Sequence, residues 1–511
     1  VTTSPKEFGK YRAFLWPIKG YETKKFLPMC LIMFFTIFNY TVLRNTKDAL
    51  MITQSGAEVI PFLKGGIVMP FSILFVFLYA KLANLLSREN LFYVTISFFL
   101  GFFILFALVL YPYREVIQPS AEKIHALKQA YPYFQHIFPL FGVWIYSAFY
   151  VFAELWGAVI LNLSFWQFAN ETTRIQEAKR FYAMFGLIGH AALIFGGYTV
   201  RFNCEVSQSS TNSCADYINY TVLVVTLCGI IIMSIYRWIN RVVLVDPLYY
   251  DGADTLAAKE TGKRLKLSLF ESLKYILTSK YIGLIAILVF SYSFCMNLLG
   301  LIWKKQLNMQ FPNPLDYGHF MGNFSIINGF ITITIIFFFK GIVSKFGWFR
   351  GAIMTPMILL VTAILIFAFL FFQDILSPLV LLFGTTPLMV GVMISTAQQI
   401  LSKSSKYSLF DPTKEMAYIP LDSELKVKGK AAVDVTVHQF GKAAGGYVSG
   451  ALLVVLMASD LLIIAPYLAG IVLLCITIWV LAVKALNREY NVLVFKQSHT
   501  PSLQPGLTSV G

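Results

Sequence analysis

The chain has 511 residues, of which 57% are hydrophobic and only 13% charged, with a formal net charge of +15. A soluble protein of this length carries about a quarter charged residues, so the composition excludes a soluble enzyme and implies an integral membrane protein with the lipid bilayer as its solvent. The positive balance needs no nucleic-acid partner, because excess Lys and Arg in cytoplasmic loops is the ordinary signature of membrane orientation.

The first 25 residues hold no apolar core or cleavage pattern of a signal peptide, and Lys6, Lys10, Arg12, Lys19, Lys24 and Lys25 make 1–25 a cytoplasmic lead-in. Apolar runs occur near 26–43, 60–80, 91–111, 137–163, 181–200 and 217–236, then 281–303, 320–340, 351–372, 377–400, 432–457 and 461–483. About 20 apolar residues span a bilayer. The reading is therefore an all-α membrane protein of about twelve transmembrane helices, six in 26–236 and six in 281–485. A basic cytoplasmic connection, 237–280, joins the halves, and a cytoplasmic tail, 486–511, closes the chain. Placing both termini inside collects most Lys and Arg on one side, leaving chiefly Arg114, Lys123, Lys128 and Arg201 opposite.

The halves carry faint internal echoes. Asn39 precedes Lys47 by eight residues in the first run, as Asn297 precedes Lys305 in the seventh. Basic turns close the second and eighth runs, Lys81 to Arg88 and Lys340 to Lys345. Together with the six-plus-six count they fit the parallel repeats of the major facilitator fold, which opens a central site to each side in turn.

The stretch Asn39 to Asp48 leaves the first run with Arg44, Lys47 and Asp48 at i, i+3 and i+4, stacked on one helical face. Charges at such depth cost about 2.5–3.5 kcal/mol each on insertion scales, and their usual justification is function. Glu154 stands among apolar residues of the fourth run and must face the bundle interior, either locking two helices or pairing with a cavity lysine as a gate. Asn162 comes two turns later on roughly the same face. Lys442 lies in the glycine-rich Gly441-Lys442-Ala443-Ala444-Gly445-Gly446, where close backbone approach is easy. Lys304 and Lys305 end the seventh run, one of them as an interface anchor; Lys64 reads as an interface lysine and His190 as a core histidine. Lys414 to Lys430 forms a basic inner segment in which Lys428 and Lys430 are further, weaker candidates. Cys204 and Cys214 share one polar loop and could bond if it faces an oxidising space.

No G-x-x-x-x-G-K-[S/T] phosphate loop occurs, since Gly441-Lys442 runs into Ala443 and Gly262-Lys263 into Arg264. No Cys/His cluster has metal spacing, and no cofactor is expected. Movement of any anion would then be driven by exchange or by an ion gradient.

Several segments together resemble the ATP/ADP translocase family of obligate intracellular bacteria and plastids. They are Asn39-Tyr-Thr-Val-Leu-Arg44-Asn-Thr-Lys47-Asp48, Gly56 to Lys64, Glu154-Leu-Trp156-Gly157, Phe165 to Asn170, Trp303-Lys304, Pro412-Thr-Lys414-Glu415 to Asp422, and Lys426-Val-Lys428-Gly429-Lys430. The resemblance covers nearly the whole chain. It implies a nucleotide transporter of the inner membrane, most simply exchanging ATP for ADP by alternating access. It also implies transport roles for Lys47, Glu154 and a late lysine among Lys428, Lys430 and Lys442. The chain departs from the family pattern at Gly300, where a glutamate is usual, and at Gln439, where an arginine is usual.

Arg44, Lys47, Lys442 and Lys304 are the expected phosphate binders, Glu154 the gate or coupling group, and Asn39 and Asn162 further cavity contacts. The expected partner is the nucleotide itself, with no obligatory protein partner. Proton-coupled net import of UTP, GTP or NAD is the alternative in the same fold. A multi-span membrane transferase is the distant one, and no convincing catalytic set supports it.

Overall fold

The computed structural model describes residues 16–246, 249, 279–339, 347–382, 384–421, 429–430 and 432–499. Ten of its helices are long and apolar enough to cross a membrane, or eleven with one bent pair counted as a single span. In chain order the helices are α1 (Thr23–Ser55), α2 (Ala57–Leu85), α3 (Arg88–Leu110), α4 (Trp144–Thr172), α5 (Ile175–Gln208), α6 (Ser213–Val243), α7 (Lys280–Gln310), α8 (Pro314–Phe339) and α9 (Trp348–Phe371). The bent pair α10 (Gln373–Leu382 with Pro387–Ala417), α11 (His438–Val455) and α12 (Ala465–His499) complete the series. Among these α11 is the polar member, because His438, Gln439 and Lys442 interrupt its apolar run. Helix α12 continues past 485, so much of the expected tail is helical.

Two compact units divide the chain. The first comprises Val1–Lys263, Lys304–Ile333 and Val454–Ser459; the second comprises Arg264–Trp303, Thr334–Leu453 and Asp460–Gly511. This division does not match the two sequence halves, because the ends of α7 and α8 nearest their connection group with the first half. The basic turn at 340–345 and most of the 237–280 connection fall outside the described residues.

Within the first unit α1 is the hub. Two thirds of its apolar window (67%) is buried, against 22% for α2, whose Phe71, Leu74 and Phe77 face outward as a lipid-exposed helix requires. Helix α1 packs on α4, α5 and α6. Its buried polar side chains engage different neighbours. Asn39 donates to the Val225 carbonyl of α6 at 2.9 Å, and Thr46 shares a 2.8 Å hydrogen bond with the Tyr217 hydroxyl. Asn45 donates to the Ser325 hydroxyl of α8 at 2.9 Å. Without water to compete, such bonds fix which helix lies beside which.

An aromatic layer joins α3 to α4, with Phe102 stacked on Phe152 at 3.6 Å and Phe103 edge-on to Phe149 at 5.5 Å. At the start of α5, Glu177 caps the Arg174 backbone N–H at 3.1 Å and also binds the buried Lys25 ammonium at 2.8 Å. One carboxylate thus ends a helix and ties it to α1.

Helices α5 and α8 approach backbone to backbone. A Cβ at Gly322 would stand 2.8 Å from the Gly197 carbonyl oxygen, and one at Gly197 would stand 2.6 Å from the Gly322 carbonyl oxygen. Neither obstacle can rotate away. Gly322→Leu should therefore lower thermal stability by about 1–3 kcal/mol, the usual cost of overpacking. Gly101→Leu, at a site with nothing within 4 Å, is the control. Thermal unfolding of both full-length variants in detergent checks this, and equal melting temperatures would refute the close approach.

Candidate functional site: a buried charge network in the first unit

The C-terminal part of α1 carries Lys47 and Asp48, both almost wholly buried. An ammonium in such surroundings needs carboxylates within contact distance, and Lys47 has two. Its Nζ lies 2.9 Å from Asp48 Oδ1 and 3.0 Å from Glu154 Oε1 of α4. The Tyr150 ring covers the same nitrogen at 3.7 Å from the centroid, adding a cation–π contact. The second Asp48 oxygen accepts from Lys304 Nζ of α7 at 2.8 Å. The result is an alternating row, Glu154–Lys47–Asp48–Lys304, across three helices.

Exposure is uneven along the row. Lys47 and Asp48 show 1% and 3% of their side chains, Lys304 13% and Glu154 24%. The Lys47–Asp48 centre is the most buried part of the row, and its two ends are the more exposed. Four cations, Arg44, Lys47, Lys64 and Lys304, face two carboxylates, Asp48 and Glu154, within mutual electrostatic reach. The formal charges of these six groups sum to +2, which suits an anion.

Local sequence explains how Glu154 reaches Lys47. Two residues on, Trp156 is fully buried and donates its indole N–H to the Thr36 carbonyl of α1 at 3.2 Å. Gly157 is next, and a Cβ there would stand 2.5 Å from the Tyr40 ring. Trp156 and Gly157 thus fix the register of α4 against α1, and the register sets the ion pair. A π-helical stretch, Gly157–Phe165, begins at that point. Such bulges recur at functional sites, where they re-aim the side chains beyond them.

A second pair lies beyond the row. The turn after α1 passes through Gly56 at φ +82°, a left-handed conformation that favours glycine. Glu58 folds back against Gly56, in the space a Cβ would take. Its other oxygen accepts from Lys305 Nζ at 2.6 Å. Adjacent lysines of α7 therefore hold two successive acidic groups, so neither Lys304 nor Lys305 acts as a simple interface anchor.

The structure brings together Lys47, Glu154 and Lys304, with Arg44 half-buried one turn earlier on α1. Asn39 is fully buried with its amide N–H group bonded to α6. Asn162 is exposed: the π-helical stretch shifts it off the face of Glu154 that a regular helix would give it. Lys442 lies in the second unit, exposed on α11. Lys430 binds Glu415 at 2.5 Å on an exposed surface, and Lys428 falls outside the described residues. His190 is buried in α5. Cys204 and Cys214 are free thiols on α5 and α6 rather than in the loop between them.

Two members of the site have roles there that the sequence does not give. Asp48 shares the Lys47 face, but only its contact with both lysines shows it as the centre of the row. Lys64 sits on the π-helical turn Leu63–Val68, where regular helical spacing gives no direction.

Removing one partner of a buried pair leaves an uncompensated charge and costs about 3–5 kcal/mol, whereas removing both together costs less. Lys47→Ala should therefore destabilise the protein strongly, and adding Glu154→Gln should recover part of the loss. A thermal-unfolding double-mutant cycle reads this directly, and strictly additive effects would refute the coupling.

Comparison with known proteins points the same way. The family model described as TLC ATP/ADP transporter matches residues 1–490. The chain is 44% identical over 496 residues to ADP,ATP carrier protein 1 of Chlamydia pneumoniae, covering 96% of this chain and 95% of that protein. It is 40% identical over 499 residues to ADP,ATP carrier protein 1 of Rickettsia prowazekii (strain Madrid E), covering 97% and 99%. Among solved structures, a bacterial homologue of the iron transporter ferroportin matches with TM-score 0.55 at 11% identity, over 92% of this chain and 99% of that one. A D-xylose–proton symporter matches with TM-score 0.52 at 12% identity, over 91% and 97%. At these identities the structures speak for the fold alone, that of major-facilitator-type transporters. Sequence and fold agree, and the chain belongs to the TLC ATP/ADP transporter family.

Proposed function

We propose that this chain exchanges ATP for ADP across a bacterial inner membrane by alternating access, with both termini on the cytoplasmic side. The observation that carries the reading is the buried row Glu154–Lys47–Asp48–Lys304, balanced in itself, with Arg44 and Lys64 as the surplus cations beside it. The names of the Chlamydia and Rickettsia relatives supply the substrate class. The surplus of basic residues on the loops assigned to the inside supports the orientation.

The chemistry is substitution of one anion for another. In the unliganded protein Glu154 and Asp48 neutralise Lys47. A nucleotide phosphate presents several oxygens that form charge-assisted hydrogen bonds with ammonium and guanidinium groups. Glu154, the more exposed carboxylate, is the one the phosphate displaces, and Asp48 stays to hold Lys47 and Lys304 in place. Arg44 and Lys304 complete the phosphate contacts in the first unit. Coupling results if the free carboxylate and the bound phosphate favour different conformations, because a ligand shifts an equilibrium only by its differential affinity.

Uptake of labelled ATP into liposomes loaded with ADP tests the exchange. Release of preloaded label should require external nucleotide and should survive collapse of a proton gradient. Lys47→Ala should lose at least about 100-fold in exchange rate, the range of a lost charged contact of roughly 3 kcal/mol. Wild-type exchange in that variant would remove Lys47 from the site.

Gly300 gives a second test, on substrate choice. A Cβ at this position on α7 meets only Gln399 Nε2, at 3.8 Å, so a larger side chain can begin there without a clash. Gly300→Glu adds the carboxylate that the family pattern expects, and the profile across ATP, GTP, UTP and CTP should shift. An unchanged profile would show that position 300 does not set selectivity.

A further inference from the structure

One short turn of the C-terminal half belongs by packing to the first unit. Val454–Ser459, which leads from α11 towards α12, groups with that unit, whereas Leu453 and Asp460 on either side of it do not. A turn drawn out of its own surroundings needs a seat, and the connection between α3 and α4 supplies one.

The seat is built around a single carbonyl. His136 Nε2 lies 2.8 Å from the Ala458 carbonyl oxygen, and Gln135 Nε2 lies 3.4 Å from the same atom. A carbonyl only accepts, so the imidazole donates from Nε2, and the two donors use both lone pairs of the oxygen. The Phe62 ring, from the first turns of α2, stacks on the imidazole at 6.0 Å and fixes its plane. Ala458 is 2% exposed, yet Val455, Leu456 and Met457 before it are exposed, and so is Ser459 after it. One small residue is pressed into the first unit while the rest of the turn stands out.

The turn is bent to make that contact. Met457 has φ +46° and is the one left-handed residue other than glycine among the described residues. A side chain holds that conformation only where its surroundings over-determine it. Here the Met457 N–H donates to the Val454 carbonyl at 3.2 Å, and the next residue is the seated Ala458.

The contact is also easy to release. It rests on two hydrogen bonds to one oxygen and on an alanine methyl group. Hydrogen bonds of this kind each contribute modestly, so the turn can leave without stranding a buried charge. Helix α11 ends at Val455 and α12 opens at Ala465, so any displacement of these helices pulls on the turn. Both connections follow odd-numbered spans, α3 and α11, and so share the side of the membrane away from the N-terminus. Alternating access opens each side in turn.

We propose that His136 and Gln135 are positioning residues. With Ala458 they form a clasp that holds that side closed and releases once in each exchange cycle. The release rests on the exchange reading above; the clasp stands without it.

Amide hydrogen exchange on the full-length protein in detergent reads the clasp without transport. In Gln135→Ala/His136→Ala, the amides of Val454–Ser459 should exchange about tenfold faster, the scale of two modest hydrogen bonds lost from a local opening. His136→Gln, which keeps a donor, should retain much of the protection, and α1 should stay protected in every variant if the fold is intact. Unchanged protection of the turn in the double variant would overturn the clasp.

Liposomes carrying Gln135→Cys/Ser459→Cys read the release. Joining the two thiols with a short, reducible bis-methanethiosulfonate linker should stop nucleotide exchange, and dithiothreitol should restore it. Exchange that continues in the joined protein would overturn the release, as would failure of the two cysteines to join in peptide mapping. A wild type that exchanges no nucleotide at all would fault the exchange reading instead, and hydrogen exchange would still decide the clasp.

Discussion

A lysine ammonium with 1% of its side chain exposed, held between two carboxylates, is the constraint to which the first unit is built. Lys47 cannot be solvated by lipid, so Asp48 and Glu154 must reach it, and helices α1 and α4 must lie where they can. Asp48 in turn draws Lys304, and with it the end of α7, into the same unit. The other buried polar groups of α1 serve the same arrangement: Asn39 and Thr46 set α6, and Asn45 sets α8. A wholly apolar α1 would pack as well, but it would have no reason to choose these neighbours. Buried ion pairs are weak sources of net stability and better sources of specificity, and here the specificity is also a way to hold charge ready for an anion.

The π-helical stretches are the second recurring device. Of the six among the described residues, one carries Lys64 and one begins just after Glu154, while Phe106–Leu110 and Ile239–Val243 adjoin no residue of the site. Each rotates the residues beyond it away from the face that regular spacing would assign.

Much of this is legible in the sequence, for reasons that can be named. Long apolar runs announce spans whatever their neighbours, and charges in those runs are conspicuous because they are expensive. Arg44, Lys47 and Asp48 fall on one face by simple spacing, and Glu154 needs a cation. The rest depends on contact, which no local pattern records. Ideal helical phase misplaces Asn162, because the π-helical stretch changes that phase, and Lys64 reads as an interface lysine because it opens the second run. One of Lys304 and Lys305 reads as an interface anchor because nothing local points to Asp48 or Glu58, more than 240 residues away. The cysteines at 204 and 214 look like loop residues because the ends of α5 and α6 are polar. The compact units depart from the sequence halves for the same reason: α7 is one helix by sequence, and its last turns belong by packing to α1.

The account turns on Glu154 competing with nucleotide phosphate for Lys47. Equilibrium ATP binding to the detergent-solubilised Glu154→Gln protein measures that competition without the complication of transport. Removing the competitor should tighten binding by about tenfold, or roughly 1.4 kcal/mol, relative to wild type. Weaker or unchanged binding would mean that carboxylate and phosphate do not share the lysine, and the proposed exchange chemistry would fall.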